Sequence, residues 1–235
     1  LFASEIDDIV NYQGFDGLPR LVNDKEEFLK LVDDDHFIGK RVYTAKTQEQ
    51  LDEYANDLRY GKWYIDCHVG GSQFGQGMYC SSEYTKGTRL KDVDSIMRYY
   101  INEHSLKNRS FNKIEILTLD KSAKIFIIPK ERAFSGANAF THIAKEYVKT
   151  NPELFGLTKD YIKNLDKLSA KELIPYIKAW DKIGSELLHN KRSASVLLVE
   201  LGYDAIRAER RNDDLPHTII LNRSKLILFE GDFNG

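Results

Sequence analysis

The sequence predicts an α+β fold, and three of its features lead there. About seven short runs rich in β-branched and aromatic residues read as strands. Two capping-box patterns open amphipathic helices early in the chain, and a Lys-rich helical stretch from about 136 to 189 interrupts the strands. The 235 residues, 42% of them hydrophobic, are enough for one domain with a real core, spanning 1–235, to which the helical stretch is an insertion or lid.

Charge and cysteine content narrow the function classes. Lys and Arg total 34 against 36 Asp and Glu, a net charge of −2, so no global positive field draws the chain to nucleic acid or to a membrane surface. Local basic patches stay open. Cys67 and Cys80 have neither CxxC spacing nor a paired-histidine pattern, so they are expected to be reduced core residues, with no metal site. No apolar run reaches the ~18 residues of a membrane span, and Leu1-Phe-Ala-Ser-Glu5 lacks the basic and apolar regions of a signal peptide. Starting without methionine, the sequence reads as a cut-out domain or a processed product.

Taken in order, Asn11 to Pro19 is turn-rich, and Asn23-Asp-Lys-Glu26 caps a short helix with Phe28, Leu29 and Val32 on its apolar side. Asp33-Asp34-Asp35 ends that helix; without the alternating acids of a calcium loop, the run reads as a solvated helix end. Phe37 to Ala45 is a strand, and Thr47-Gln-Glu-Gln50 caps a helix with Leu51, Tyr54, Ala55 and Leu58 on one face. Lys62 to Cys67 is a second strand, a third starts at Met78, and Lys91 to His104 has helical spacing. Ile114 to Leu119 and Ala123 to Ile128 are strands, the latter stopped by Pro129. Ser193 to Leu201 is a short helix closed by Gly202, and strands starting at Tyr203, at His217 and at Lys225 complete the chain.

The stretch Gly70-Gly-Ser-Gln-Phe-Gly-Gln-Gly-Met-Tyr-Cys-Ser-Ser82 looks most like a site. Its glycines let backbone approach a ligand closely, and Phe74 and Tyr79 offer flat faces for stacking, although a plain strand connection has the same composition. It lacks the lysine and hydroxyl of a phosphate-binding loop. Phe74-Gly-Gln-Gly-Met-Tyr79, followed by Ser81-Ser82, resembles the Phe-Gly-x-Gly-Ile-Tyr-Phe signature of ADP-ribosyltransferases. The run from Gly61 to Tyr84, the Arg41-Val-Tyr43 pattern and the Gly-Tyr-Asp-Ala-Ile206 and Ile-Leu-Asn-Arg-Ser224 phrases resemble the domains of that family carried on phage minor head proteins.

That resemblance implies two small, mostly antiparallel sheets facing each other across an NAD cleft, a split β-sandwich. It implies that NAD is a substrate, and that ADP-ribose moves to a macromolecule, expected to be a host bacterial protein, with a nucleic-acid acceptor left open. The setting would be a phage virion or the host cytoplasm, as a head protein, toxin or effector. Arg41 would clamp the dinucleotide, Tyr79 would stack on nicotinamide, and Tyr43, Gly70, Gly71, Gln73, Phe74 and Ser82 would line the site. A carboxylate near the ribose would stabilise an oxocarbenium-like transition state. Glu209 is the first choice, with Asp213 and Asp214 as alternatives and a surface salt bridge as the plain reading of Glu209. The sequence departs from the family at that point, because His217 stands where the glutamate of the late strand is expected, and Asp66-Cys67-His68 replaces Ser-Thr-Ser. Arg207, two residues before Glu209, gives no support to arginine as the acceptor. An inactive structural module and an NAD glycohydrolase are the alternative functions.

Overall fold

A computed structural model describes residues 17–32, 37–61, 77–84, 111–129, 201–208 and 217–231, with scattered positions between 142 and 199. The expected strand at 62–67, the helix at 91–104, the glycines before Gly77 and the loop at 209–216 lie outside the described residues.

The α+β class holds. The elements are β1 (Arg20–Val22), α1 (Lys25–Leu31), β2 (Phe37–Ala45), α2 (Gln48–Tyr60), β3 (Met78–Tyr84), β4 (Phe111–Leu119), β5 (Ile125–Ile128), β6 (Ala205–Ala208), β7 (His217–Ile220) and β8 (Leu226–Phe229). Sequence reasoning anticipates β2 to the residue, because nine strand-forming positions sit between two helix signals. The first helix is capped one residue later than expected: the Asp24 carboxylate, not Asn23, accepts from the Glu27 backbone N–H at 2.7 Å. Thr47 caps α2 as expected, its hydroxyl accepting from Gln50 N–H at 3.2 Å. Gly202 closes its helix at φ +85°: Gly202 N–H bonds the Val199 carbonyl and Tyr203 N–H the Leu198 carbonyl, the paired bonds of a Schellman turn.

Hydrogen-bonded ladders join eight strands in the order β1-β8-β4-β2-β3-β7-β6-β5. β1 with β8 and β5 with β6 are parallel; the other pairings are antiparallel. Two short connections join strands that are far apart in this order, residues 120–124 from β4 to β5 and 221–225 from β7 to β8. Neither connection could span a flat sheet at ~4.8 Å per strand, so the sheet folds back on itself. Where the resemblance implies two separate sheets around an NAD cleft, the strands form one continuous ladder with halves β1-β8-β4-β2 and β3-β7-β6-β5.

Alternation along the strands then builds two apolar clusters. Tyr43, Ala45, Leu117, Leu119, Leu226 and Leu228 point into the larger one, together with Met78, Cys80 and Ile220 from the second half. Ile38, Ile116, Ile227 and Phe229 point the opposite way and are covered by α1 through Phe28, which is fully buried with its ring 5.4 Å from that of Phe229.

Polar ties brace each half internally and anchor the 221–225 connection. Arg59 of α2 forks onto the Glu115 carboxylate of β4 at 2.9 and 2.8 Å, and its Nε donates to Glu230 at 2.7 Å. Burial works against the Arg59 charge, but hydrogen bonds to Glu115 and Glu230 outweigh it and hold its pKa above the usual arginine value. Arg223 is buried and donates to the carbonyls of Gly17, Asp57 and Gly61, placing a cation on the C-terminal end of α2. Asp204 accepts from Lys124 N–H and from the Asn222 amide, both at 2.8 Å, and so pins the starts of β5 and β6 to the end of β7.

Candidate functional site

The halves diverge at β2 and β3. These strands pair from Phe37↔Tyr84 to Lys40↔Ser81, while β3 pairs with β7 from Ser81↔His217 to Met78↔Ile220. Beyond Ser81, β3 leaves β2 and joins the second half. Arg41 stands at the fork, where its Nη1 donates to the Tyr79 carbonyl at 2.7 Å. Its guanidinium carbon lies 5.1 Å from the Tyr43 ring centroid, and its Nε is buried with no hydrogen-bond partner among the described residues.

Around Arg41 lie Tyr43, Met78 and Cys80, with the buried carboxylate of Glu115, its ladder partner on β4, alongside. The Tyr43 hydroxyl donates to the Met78 sulfur at 3.8 Å, and its ring stacks on Tyr54 at 5.9 Å. Burial pushes the Tyr43 phenol up to about 12, against the nearby Arg41 charge. Burial likewise pushes the Cys80 thiol up to about 12, again opposed by Arg41, and the thiol donates to the Thr218 carbonyl at 3.3 Å. A thiol this hard to ionise is no nucleophile at neutral pH, in keeping with the structural role expected for Cys80.

Of the residues singled out by sequence, the structure brings Arg41, Tyr43 and Tyr79 together, Arg41 meeting Tyr79 through its backbone carbonyl. Side chains alternate along β3, which turns the Tyr79 ring away from the face carrying Met78 and Cys80, where Arg41 lies. Tyr79 is half-buried and packs against the main cluster beside Ile219, its ladder partner. Ser82 is fixed by its backbone pairing with Gly39. Gly70, Gly71, Gln73, Phe74, Glu209, Asp213 and Asp214 lie outside the described residues. Gly77 is described, at φ +151°, and a Cβ there would come within 2.5 Å of Ile219 Cγ2. This glycine answers to close packing against β7.

Sequence reasoning missed the charged residues that organise this framework. Arg59 falls four positions after Ala55, on the apolar face of α2, and Glu115 sits between Ile114 and Ile116 in a strand with two buried faces. A charge on an apolar face was the available signal. Among the described residues, no group of three or more His, Cys, Asp or Glu is positioned to hold a metal ion. None of their helices is long and apolar enough to cross a membrane.

Comparison with known proteins turns the functional expectation in another direction. The chain is 25% identical over 187 residues to a probable transposase for insertion-like sequence element IS1161 from Streptococcus salivarius. The match covers 77% of this chain and 52% of the transposase, so the chain spans about half the length of that relative. No family model matches the chain, and no solved structure does. These findings correct the likeness to ADP-ribosyltransferases: the long match runs to a transposase, and the transfer of ADP-ribose from NAD by a phage-head or toxin module is left without a relative behind it. The physical reason for the error is that the suggestive motif, Phe74 to Tyr79, is short. Glycine–aromatic turns feeding a strand recur for packing reasons, as Gly77 illustrates.

Proposed function

We propose that the chain belongs to a DNA-processing enzyme of the transposition type and that its partner is duplex DNA. The observation behind this reading is the similarity to a transposase along 187 residues, which reaches well beyond any single motif. A net charge of −2 means that such a protein would hold DNA through local cationic surface rather than a global field.

Phosphoryl transfer on DNA is commonly assisted by carboxylate-held divalent ions. The buried carboxylates among the described residues are committed elsewhere, Glu115 to Arg59 and Asp204 to Lys124 and Asn222, so no catalytic step is assigned to them. The folded-back sheet would serve as the rigid frame for the reaction.

The reading is tested by titrating the chain into a fluorescent duplex over a salt series, and by incubating it with supercoiled plasmid and magnesium or manganese. Binding that weakens steeply with salt, accompanied by nicking or strand joining, is the expected result. An anisotropy that stays flat at low salt contradicts it.

A further inference from the structure

The two connections that cross between the halves of the sheet do so at the same end, and they are tied together. Asp120 N–H bonds the Lys225 carbonyl at 2.8 Å, and the Lys225 ammonium donates to the Ser122 hydroxyl at 2.9 Å. Lys121 and Lys124 are exposed on the first connection and Lys225 is half-exposed on the second. Lys124 is held over the Tyr203 ring, its Nζ 4.2 Å from the centroid, while donating to the Leu201 carbonyl at 3.1 Å. Three acids share the neighbourhood, among them the buried Asp204, whose carboxylate is occupied by the Lys124 N–H and the Asn222 amide. The Asp120 carboxylate is occupied by the Ser122 N–H and hydroxyl, at 2.9 and 2.6 Å, and Glu146 acts on Tyr203 from the helical segment.

We infer that Lys121, Lys124 and Lys225 form a contact surface for the phosphate backbone of DNA, at the end of the fold where both connections cross. The inference rests on the DNA reading above and deepens it by naming the surface. The Lys124 ammonium is positioned by the Leu201 carbonyl and the Tyr203 ring and the Lys225 ammonium by Ser122, so at these two a phosphate would meet cations whose freedom is already reduced, with Lys121 exposed beside them. Each is a point charge without a base-reading partner, so the contact fixes position on DNA and carries no sequence preference. The Asp120 and Asp204 carboxylates are each satisfied by hydrogen bonds within the crossing segments, which leaves the exposed ammonium groups as the outward-facing charge there.

The test compares the wild-type chain with a Lys121→Gln/Lys124→Gln/Lys225→Gln variant and with a Lys30→Gln/Lys46→Gln control, whose lysines are exposed on other elements. Anisotropy with a labelled random-sequence duplex is read across salt concentrations, and thermal melts verify that each variant is folded. The triple variant is expected to bind at least tenfold more weakly at low salt, with a log K against log salt slope shallower by about 2–3, since each lost phosphate contact removes roughly 0.9. The control should keep the wild-type slope. A triple variant that melts like the wild type and keeps its slope overturns the assignment of this surface, while the DNA reading survives. Absence of salt-dependent binding by the wild-type chain overturns both.

Discussion

Arg59 shows how much of this protein depends on single side chains. It reaches two carboxylates, Glu115 and Glu230, and the Ala55 carbonyl, and Glu115 is almost completely buried. Replacing Arg59 with Met leaves that carboxylate with only Lys113, at 3.2 Å, as an ionic partner among the described residues. Removing one member of a buried pair costs about 3–5 kcal/mol, and urea denaturation of Arg59→Met should register a loss of that order. Cys80 and Tyr43 predict how stability varies with alkali. Both pKa values are raised by folding, from 9.0 and 10.0 to about 12, so the unfolded chain gives up these protons first. Their contribution to stability is complete below about 9, declines through the interval up to about 12 and is lost above it. Native protein should also resist thiol alkylation at Cys80 until it is unfolded, and rapid labelling of Cys80 itself in the folded chain at neutral pH, located by peptide mapping, would contradict this account of the site.

Gly77 links a local backbone demand to the pairing of β3 with β7. Its φ of +151° and the 2.5 Å approach of Ile219 Cγ2 leave no space for a methyl group. Gly77→Ala should cost about 1–3 kcal/mol through overpacking and backbone strain, measured as a drop in the denaturation midpoint. The same contrast explains what sequence could and could not reveal about the elements. β2, α2 and the Gly202 turn were legible because their signals are local: alternation, a Thr47 cap, a glycine at positive φ. β1 was not, since its three residues become a strand only by pairing with Ile227 to Phe229 at the far end of the chain. The N-cap shift from Asn23 to Asp24 is a choice between two adjacent side chains of equal capping ability.

The architecture as a whole follows from two crossings that no short window of sequence contains. Residues 120–124 and 221–225 fold the eight-stranded ladder into facing halves, and the α+β class could be inferred without them while the topology could not. The candidate site was legible only as composition. Glycines and aromatic rings near Tyr79 stood out, but side-chain alternation, which separates the Tyr79 ring from Arg41, depends on the register with β2 and β7. The ties that hold the crossings, Asp204 to Asn222 and Lys225 to Ser122, are likewise long-range pairs. The proposed function, too, rests on a long span, 187 residues of similarity rather than a six-residue motif. The most direct measurement is therefore the binding of the intact chain to a labelled DNA duplex as salt is raised. The account predicts that log K falls linearly with log salt, and a duplex left unbound at low salt would contradict it.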